Sequence, residues 1–373
     1  MSAIKVGIVG TGSVASSVHL PILTRRTDLF EIVALADLNV NAAYALADRF
    51  GISRDVCFAD PKKMIDLKEV DAVLILNSGS HAEIVEMALR AGKTVFCEKP
   101  LAYSHAELKS IEKAKSESGS ALMIGYMKTF DPAVIEAQKA IKTRPRTVDV
   151  LVLHPSGDSQ LVTSDESLNM PKPSAELIEL FTKSRTAVQE EALGKAGAAS
   201  FGNLYSEMVL GSVIHEFSVL RALDIHITEV DHVDRWPAGS ASDSIIIFGR
   251  TADGVRVTVR WFYLDQYPMY QEEIRWVSDV EGHHIVFPSP YILRVPTQLI
   301  STYRKGIDHQ SNKFESYKPA FESELEAFYQ LVKTGKQNAD PIADGLEDLA
   351  LAQKIAKKIA ENEEIALGGE LLG

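Results

Sequence analysis

Over the first 130 or so residues of the 373-residue chain, apolar positions come in short runs without alternation, and helix-period segments separate them. "IKVGIV" (4–9), "EIVALA" (31–36), "DVCFA" (55–59), "DAVLIL" (71–76), "TVFCE" (94–98) and "ALMIGY" (121–126) read as strands. Helices are predicted from Val14 to Thr24, over "NAAYALADRF", over "HAEIVEMALRAG" with Gly92 as its stop, and over "SHAELKSIEKAKSESG". Strands apolar on both faces and separated by helices imply a parallel sheet covered on both sides. A further helix starts at "DPAVIEAQKAIK", with Asp131 as N-cap and Pro132 at its first position.

Past about residue 145 the texture changes. "TVDVLVLH" (147–154) is a strand. The stretch after it is irregular, and then a polar helix is predicted around "SAELIELFTKSRTAVQEEAL". Alternating strands follow in "HVDRW", "SIIIFGR", "VRVTVRWFYL", "EEIRWVS", "HHIVF" and "TQLISTY". In "VRVTVRWFYL", Val255, Val257, Val259, Trp261 and Tyr263 share one face, and Arg256, Thr258 and Arg260 take the other. That pattern suits an antiparallel sheet with one covered side. Two helices close the sequence, "KPAFESELEAFYQLVKTG" and "GLEDLALAQKIAKKIAENE". The predicted fold is α/β: a doubly wound parallel sheet over residues 1–130, then an α+β domain with a large, mostly antiparallel sheet over 131–373. The closing helices are free to pack back on the first domain.

Between the two textures lies "MVLGSVIHEFSVLRAL" (208–223), which reads as a buried helix with an apolar stripe at 210, 213, 214, 217 and 220. Gly211 sits inside it at a cost of about 1 kcal/mol against alanine. His215 follows four residues later, on the same helix face as Gly211. A close helix crossing with a hydrogen-bonded core histidine accounts for both. So does a pocket wall that carries a proton-transfer group.

Composition narrows the function. A formal net charge of −12 argues against nonspecific nucleic-acid binding and against docking to anionic membranes. No apolar run reaches the roughly 18 residues of a transmembrane helix, and "MSAIKVGIVGTGS" breaks into glycines too early for a signal peptide. Two cysteines, Cys57 and Cys97, give no disulfide framework, so a reducing, cytoplasmic setting is expected. No metal-ligand spacing is present, and no metal is expected.

"GIVGTGSVA" sets Gly10-x-Gly12-x-x-Ala15 directly after a strand and at the start of a helix. Gly10 permits a tight turn, Gly12 lets the backbone approach a pyrophosphate, and Ala15 meets the need for close helix–strand packing. The helix N-terminus then offers free N–H groups to phosphate. Asp37 ends the second strand, where a carboxylate accepts hydrogen bonds from ribose hydroxyls and repels a 2′-phosphate. With Leu38 next to it, the pattern favours NAD over NADP. Asp37 also reads as a helix cap for "LNVNAAYA".

Glu98-Lys99-Pro100 closes the fifth strand, at the sheet end where ligands bind. Together with the glycine fingerprint, Asp37 and "NSGSHAEI" (77–84), it resembles the Gfo/Idh/MocA family of oxidoreductases, closely from Ile4 to Pro132 and less closely beyond. The resemblance implies a Rossmann domain, with Gly10, Gly12, Ser13, Val14 and Asp37 holding pyrophosphate and adenosine. It implies Asn77, His81 and Glu98 along the cofactor path, and Lys99 on the reacting hydroxyl or ketone and the cofactor. The family's second signature is Asp-x-Gly-x-His with a later aspartate. His215 matches its histidine, but Gly211, Val213 and Ser218 depart from the rest. "GYMKTFDP" resembles the link into the second domain, where Thr129 replaces a frequent arginine and Lys128 stands ready to substitute for its charge.

The implied function is NAD-dependent oxidoreduction of a polyhydroxylated substrate (a sugar, glycoside or cyclitol), with His215 as general acid/base and Lys99 assisting. Tyr126, Lys128, His154, Glu207 and Gly211 join Lys99 and His215 as candidate substrate-binding residues. His283 and His284 have no partner at ligand spacing and read as structural. An NAD-dependent glycoside cleavage through transient oxidation would carry the same residues, and a non-catalytic redox sensor is a third reading. Relatives pair the second-domain sheet between subunits, so a homodimer or homotetramer is expected. Light scattering should return two or four times 40.9 kDa, and a monomeric mass contradicts this expectation.

Overall fold

The computed structural model describes residues 2–156, 171–238, 242–290, 292 and 295–372. Its first sheet has six strands: β1 (Ile4–Val9), β2 (Phe30–Ala36), β3 (Cys57–Phe58), β4 (Ala72–Ile75), β5 (Thr94–Glu98) and β6 (Leu122–Gly125). All neighbours are parallel, in the order β3-β2-β1-β4-β5-β6. Strand order reverses between β1 and β4, which opens a crevice beyond their carboxyl ends. Every residue of β4 is buried, and β1 is buried except at Lys5, hence the lack of alternation in their sequences.

Helices cover both faces of this sheet. A π-helical turn (Ala15–His19) runs into α1 (Leu20–Arg25) and is followed by α2 (Val40–Phe50), α3 (Pro61–Ile65), α4 (Ala82–Arg90) and α5 (His105–Ser118). Ser104 caps α5 by accepting from the Glu107 N–H, and Asp131 caps α6 (Pro132–Ala140) by accepting from the Ala133 N–H. A 3-10 turn, Met127–Phe130, joins β6 to α6.

The second sheet has eight strands in the order β14-β13-β12-β11-β7-β10-β9-β8. They are β7 (Thr147–His154), β8 (Glu229–Ala238), β9 (Ser242–Arg250), β10 (Arg256–Tyr263), β11 (Gln271–Val277), β12 (Glu281–Phe287), β13 (Thr297–Lys305) and β14 (Asp308–Ser316). Only β7 and β10 run parallel, and their register pairs His154 with Tyr263 at the shared carboxyl end. The burial of β10 alternates as its sequence predicts, with Val257, Val259 and Trp261 inside. Strand β14 carries no apolar alternation and escapes a pattern-based reading. It is a largely exposed edge strand that owes its place to pairing with β13.

The polar helix is longer than predicted: α7 spans Ala175–Asn203, with non-helical backbone at Gly194 and Phe201. The irregular stretch before it falls mostly on 157–170, outside the described residues. The segment read as one buried helix is two kinds of helix. Leu204–Val213 is π-helical and continues as α8 (Ile214–Ala222). Its predicted stripe is nonetheless buried, from Leu210 to Leu220. The final helices, α9 (Ala320–Thr334) and α10 (Pro341–Asn362), return to the first sheet. Phe328 packs edge-on against Phe96 at 5.5 Å and Tyr329 against Phe30 at 6.0 Å.

Candidate active site

The crevice at the carboxyl ends of β1 and β4 is shaped for a dinucleotide. Gly10 adopts φ +90°, and a Cβ there would fall 2.3 Å from the Asn77 backbone nitrogen, so no side chain fits. No atom lies within 4 Å of a Cβ built on Gly12, which leaves the turn open above Ser13 and Val14. The Thr11 N–H and hydroxyl both donate to Asp37 Oδ2 at 2.8 Å, and the Asn39 N–H donates to Oδ1 at 2.8 Å. Asp37 therefore ties the glycine turn to the end of β2, and it also serves the turn ahead of α2. Asn77 donates through Nδ2 to the carbonyls of Ser78 and Ser80, while its Oδ1 is buried with no partner among the described residues. The cleft has a volume of about 1230 Å³ and runs from Leu38 past Asn77 to Lys99. A tight glycine turn, open space above it, a carboxylate at the second strand and an orphaned amide oxygen together fit a bound dinucleotide.

His81 and Glu98 act on the loops of this cleft. The His81 ring is wedged between the carbonyls of Asn77 and Pro100, each 2.8 Å away. Glu98 accepts from His19 Nε2 at 2.9 Å and from the Lys99 N–H at 3.2 Å. Burial pushes the Glu98 carboxyl pKa up, but the His19 bond and the nearby positive charges outweigh that and hold it below the ordinary glutamate value.

Lys99 leaves the end of β5 and donates from Nζ to the Gly211 carbonyl at 2.5 Å. Beyond that contact opens a second cavity of about 890 Å³, against the inner face of the second sheet. Lys99, Glu207, Gly211 and His215 line both cavities. Burial pulls the Lys99 pKa down, and the charge of Lys128 adds to the effect against the opposing pull of Glu98. Burial also pushes His215 well below the usual histidine value, reinforced by Lys99 and Lys128. Its imidazole is therefore neutral near pH 7, and Nδ1 is buried with no partner among the described residues.

Behind His215 lies a buried charge cluster. Lys128 Nζ donates to Glu216 Oε1 at 2.8 Å and to Glu272 Oε1 at 2.6 Å, and Tyr270 donates to Glu272 Oε2 at 2.5 Å. Burial works against the Lys128 charge, but the two carboxylates prevail and raise its pKa. Burial pushes Glu216 up to about 8 despite Lys128, and its Oε2 has no partner among the described residues.

The predicted site residues divide accordingly. Lys99, Lys128, His154, Glu207, Gly211 and His215 come together around the second cavity. Glu207 makes a loose ion pair with Arg185 at 3.7 Å. Tyr126 does not join them: its hydroxyl donates to Asp348, and the Arg221 guanidinium covers its ring at 5.0 Å. Gly211 lines both cavities, and a Cβ there would meet the Ser206 carbonyl oxygen at 3.1 Å, a contact relieved by a shift of a few tenths of an ångström. It contributes its own carbonyl, which holds Lys99. His283 and His284 bond Ser301 and Glu273 within the sheet. Glu272, Tyr270 and Arg185 escape a sequence reading. Each lies far along the chain from the motifs and carries no spacing signal, whereas Trp261 and Tyr263 were visible as one strand face.

Residues 4–126 match the model of an oxidoreductase family, Gfo/Idh/MocA, with an NAD-binding Rossmann fold. Inositol 2-dehydrogenase of Azotobacter vinelandii is 26% identical over 351 residues, 92% of this chain and 89% of that protein. Over its first domain the chain is similar to the Gfo/Idh/MocA family. It is a dehydrogenase acting on CH–OH groups, with an NAD(P)-binding domain. Two solved structures share the fold across both sheets. An aldose–aldose oxidoreductase from Caulobacter crescentus superposes with a TM-score of 0.71 at 20% identity, covering 96% of this chain and 98% of that one. UDP-N-acetylglucosamine 3-dehydrogenase from Acidithiobacillus ferrooxidans does so at 0.70 and 16%, with the same coverage. Among the described residues, no cluster of His, Cys, Asp or Glu is placed to hold a metal ion, and no helix is long and apolar enough to cross a membrane.

The Glu216 carboxyl has a pH signature. Its pKa rises from 4.5 to about 8 on folding, so its contribution to stability is full below pH 4.5 and is lost as pH climbs through 8. Relative to Glu216→Gln, the native chain should lose at most about 1.4 kcal/mol of unfolding free energy per pH unit across that window. Urea unfolding at pH 5, 6.5 and 8 measures this. Parallel pH profiles for the two proteins contradict it.

Proposed function

We propose that the protein transfers hydride between NAD and a hydroxyl or ketone of a sugar, glycoside or cyclitol, with His215 as general acid/base and Lys99 assisting. The observation that carries this reading is the junction of the two cavities at Lys99, Gly211 and His215. Gly10, Gly12, Ser13 and Val14 would hold the pyrophosphate, Asp37 the adenosine ribose, and Asn77 and Glu98 the nicotinamide half, with His81 fixing the loops between them. NAD bound there supplies the hydride acceptor.

This chain's own residues handle the proton. A neutral His215 is ready to accept the hydroxyl proton during oxidation, and its depressed pKa keeps it ready at neutral pH. Lys99, held at Gly211 until substrate arrives, donates to the reacting oxygen and polarises a ketone in the reverse direction. The loss of charge at position 211 removes one carboxylate. Glu207, on the rim of both cavities, remains to bind a substrate hydroxyl. Asp37 beside exposed Leu38 offers a ribose-binding carboxylate and no cation for a 2′-phosphate, which favours NAD.

His215→Asn and Lys99→Ala should each lower kcat at least about 100-fold, with His215→Asn still binding NAD like the native chain in a fluorescence titration. Near-normal turnover in either variant overturns the assignment. The same titration should favour NAD over NADP, and equal or tighter NADP binding contradicts the role of Asp37. Sugar oxidation should yield stoichiometric NADH. Glycoside cleavage without net NADH would point instead to transient oxidation followed by re-reduction.

A further inference from the structure

The second cavity has an aromatic wall that the hydride-transfer reading leaves unused. Trp261 and Tyr263 stand on one face of β10, their rings 6.4 Å apart and 18° from parallel. His154, at the end of the parallel strand β7, lies 5.1 Å from Trp261 and 6.2 Å from Tyr263, at 32° and 24°. Tyr270 closes the row edge-on to His154 at 5.8 Å. All four rings line the cavity that reaches Lys99 and His215. Trp261 also donates from Nε1 to Ser212 Oγ at 3.0 Å, and Ser212 follows the Gly211 whose carbonyl holds Lys99. The wall thus begins two hydrogen bonds and one residue from the reacting lysine.

Wall and volume point the same way. A cavity of about 890 Å³ lies near the top of the range that suits drug-sized ligands, well beyond a lone six-membered polyol. Trp261 is buried and is accounted for by sheet packing, but Tyr263, Tyr270 and His154 are only half-buried and turn toward the cavity. Aromatic faces take the apolar face of a second ring. Among the described residues, the charges around them nearly cancel. Arg185 faces Glu207, Lys128 lies between Glu216 and Glu272, and Asp243 accepts from Arg235 at 3.0 Å. Lys195 and Glu190 add one charge of each sign. Among the described lining residues, Arg185 and Lys128 already face carboxylates, and Glu190, Glu207 and Asp243 set negative charge against a diphosphate.

We propose that the substrate is a neutral glycoside with two rings: a sugar that reacts at Lys99 and His215, and an aryl aglycone or second sugar that lies against Trp261, Tyr263, His154 and Tyr270. This rests on the hydride-transfer reading above and narrows its substrate class. The test offers each hexose in three forms: free, as the methyl glycoside, and as the 4-nitrophenyl glycoside. For the sugar oxidised, kcat/KM should be about tenfold higher for the aryl than for the methyl glycoside, through KM. Tyr263→Ala should collapse that ratio, and Tyr263→Phe should retain it. Calorimetry with the 4-nitrophenyl glycoside reads the same contact without turnover. An aryl-to-methyl ratio near one, a ratio untouched by Tyr263→Ala, or a preference for UDP-sugars overturns the proposal. If no hexose reduces NAD while the aryl glycoside binds and Tyr263→Ala weakens that binding, the hydride-transfer reading fails and the wall's ligand stands.

Discussion

A buried ammonium must be paired, and that of Lys128 is paired twice. Its partners, Glu216 and Glu272, come from α8 and β11, and Lys128 itself sits on the turn that leaves the first sheet. Removing Lys128 from such a cluster leaves an uncompensated carboxylate, which typically costs about 3–5 kcal/mol. That constraint fixes three elements far apart in sequence against one another. It places His215, the neighbour of Glu216, at the mouth of the crevice in the first sheet. The surplus negative charge is absorbed by the raised pKa of Glu216, so a proton rather than a second cation completes the balance.

The same burial tunes the two groups proposed to handle the proton. Lys99 and His215 are both desolvated by the protein around them with positive charge near, and both are pushed toward their neutral forms. A neutral imidazole is a base, and a lysine with a lowered pKa exchanges its proton more readily than a surface lysine. The carbonyl that Lys99 holds lies within the π-helical turn. The carbonyl at 211 is directed to a side chain from another sheet, and the wider helix accommodates it.

Much of this was legible in the sequence because the signals are local. The turn at Gly10, the acid at Asp37, the strand-end Lys99 and the helical His215 each sit in short patterns whose physics is set by neighbours in the chain. The six strands of the first sheet were legible for the same reason: full burial leaves runs of apolar residues. What was not legible depends on distant packing. Glu272 is one polar residue on a strand until Lys128 is placed beside it. Tyr126 sits next to the domain link, yet Asp348 draws its hydroxyl away from the cavity. Strand β14 is polar because it is an edge, and only its pairing with β13 reveals it. The π-helical form of Leu204–Val213 is invisible to a 3.6-residue period, although its buried stripe survives the change.

The central claim is that the two cavities form one reaction site where they meet. A crystal structure of the protein with NADH and a glycoside tests it most directly. The account predicts a sugar hydroxyl within about 2.6–3.2 Å of Lys99 Nζ and of a His215 ring nitrogen, with Lys99 released from Gly211. A sugar seated elsewhere, with Lys99 still on the Gly211 carbonyl and His215 untouched by ligand, would contradict it.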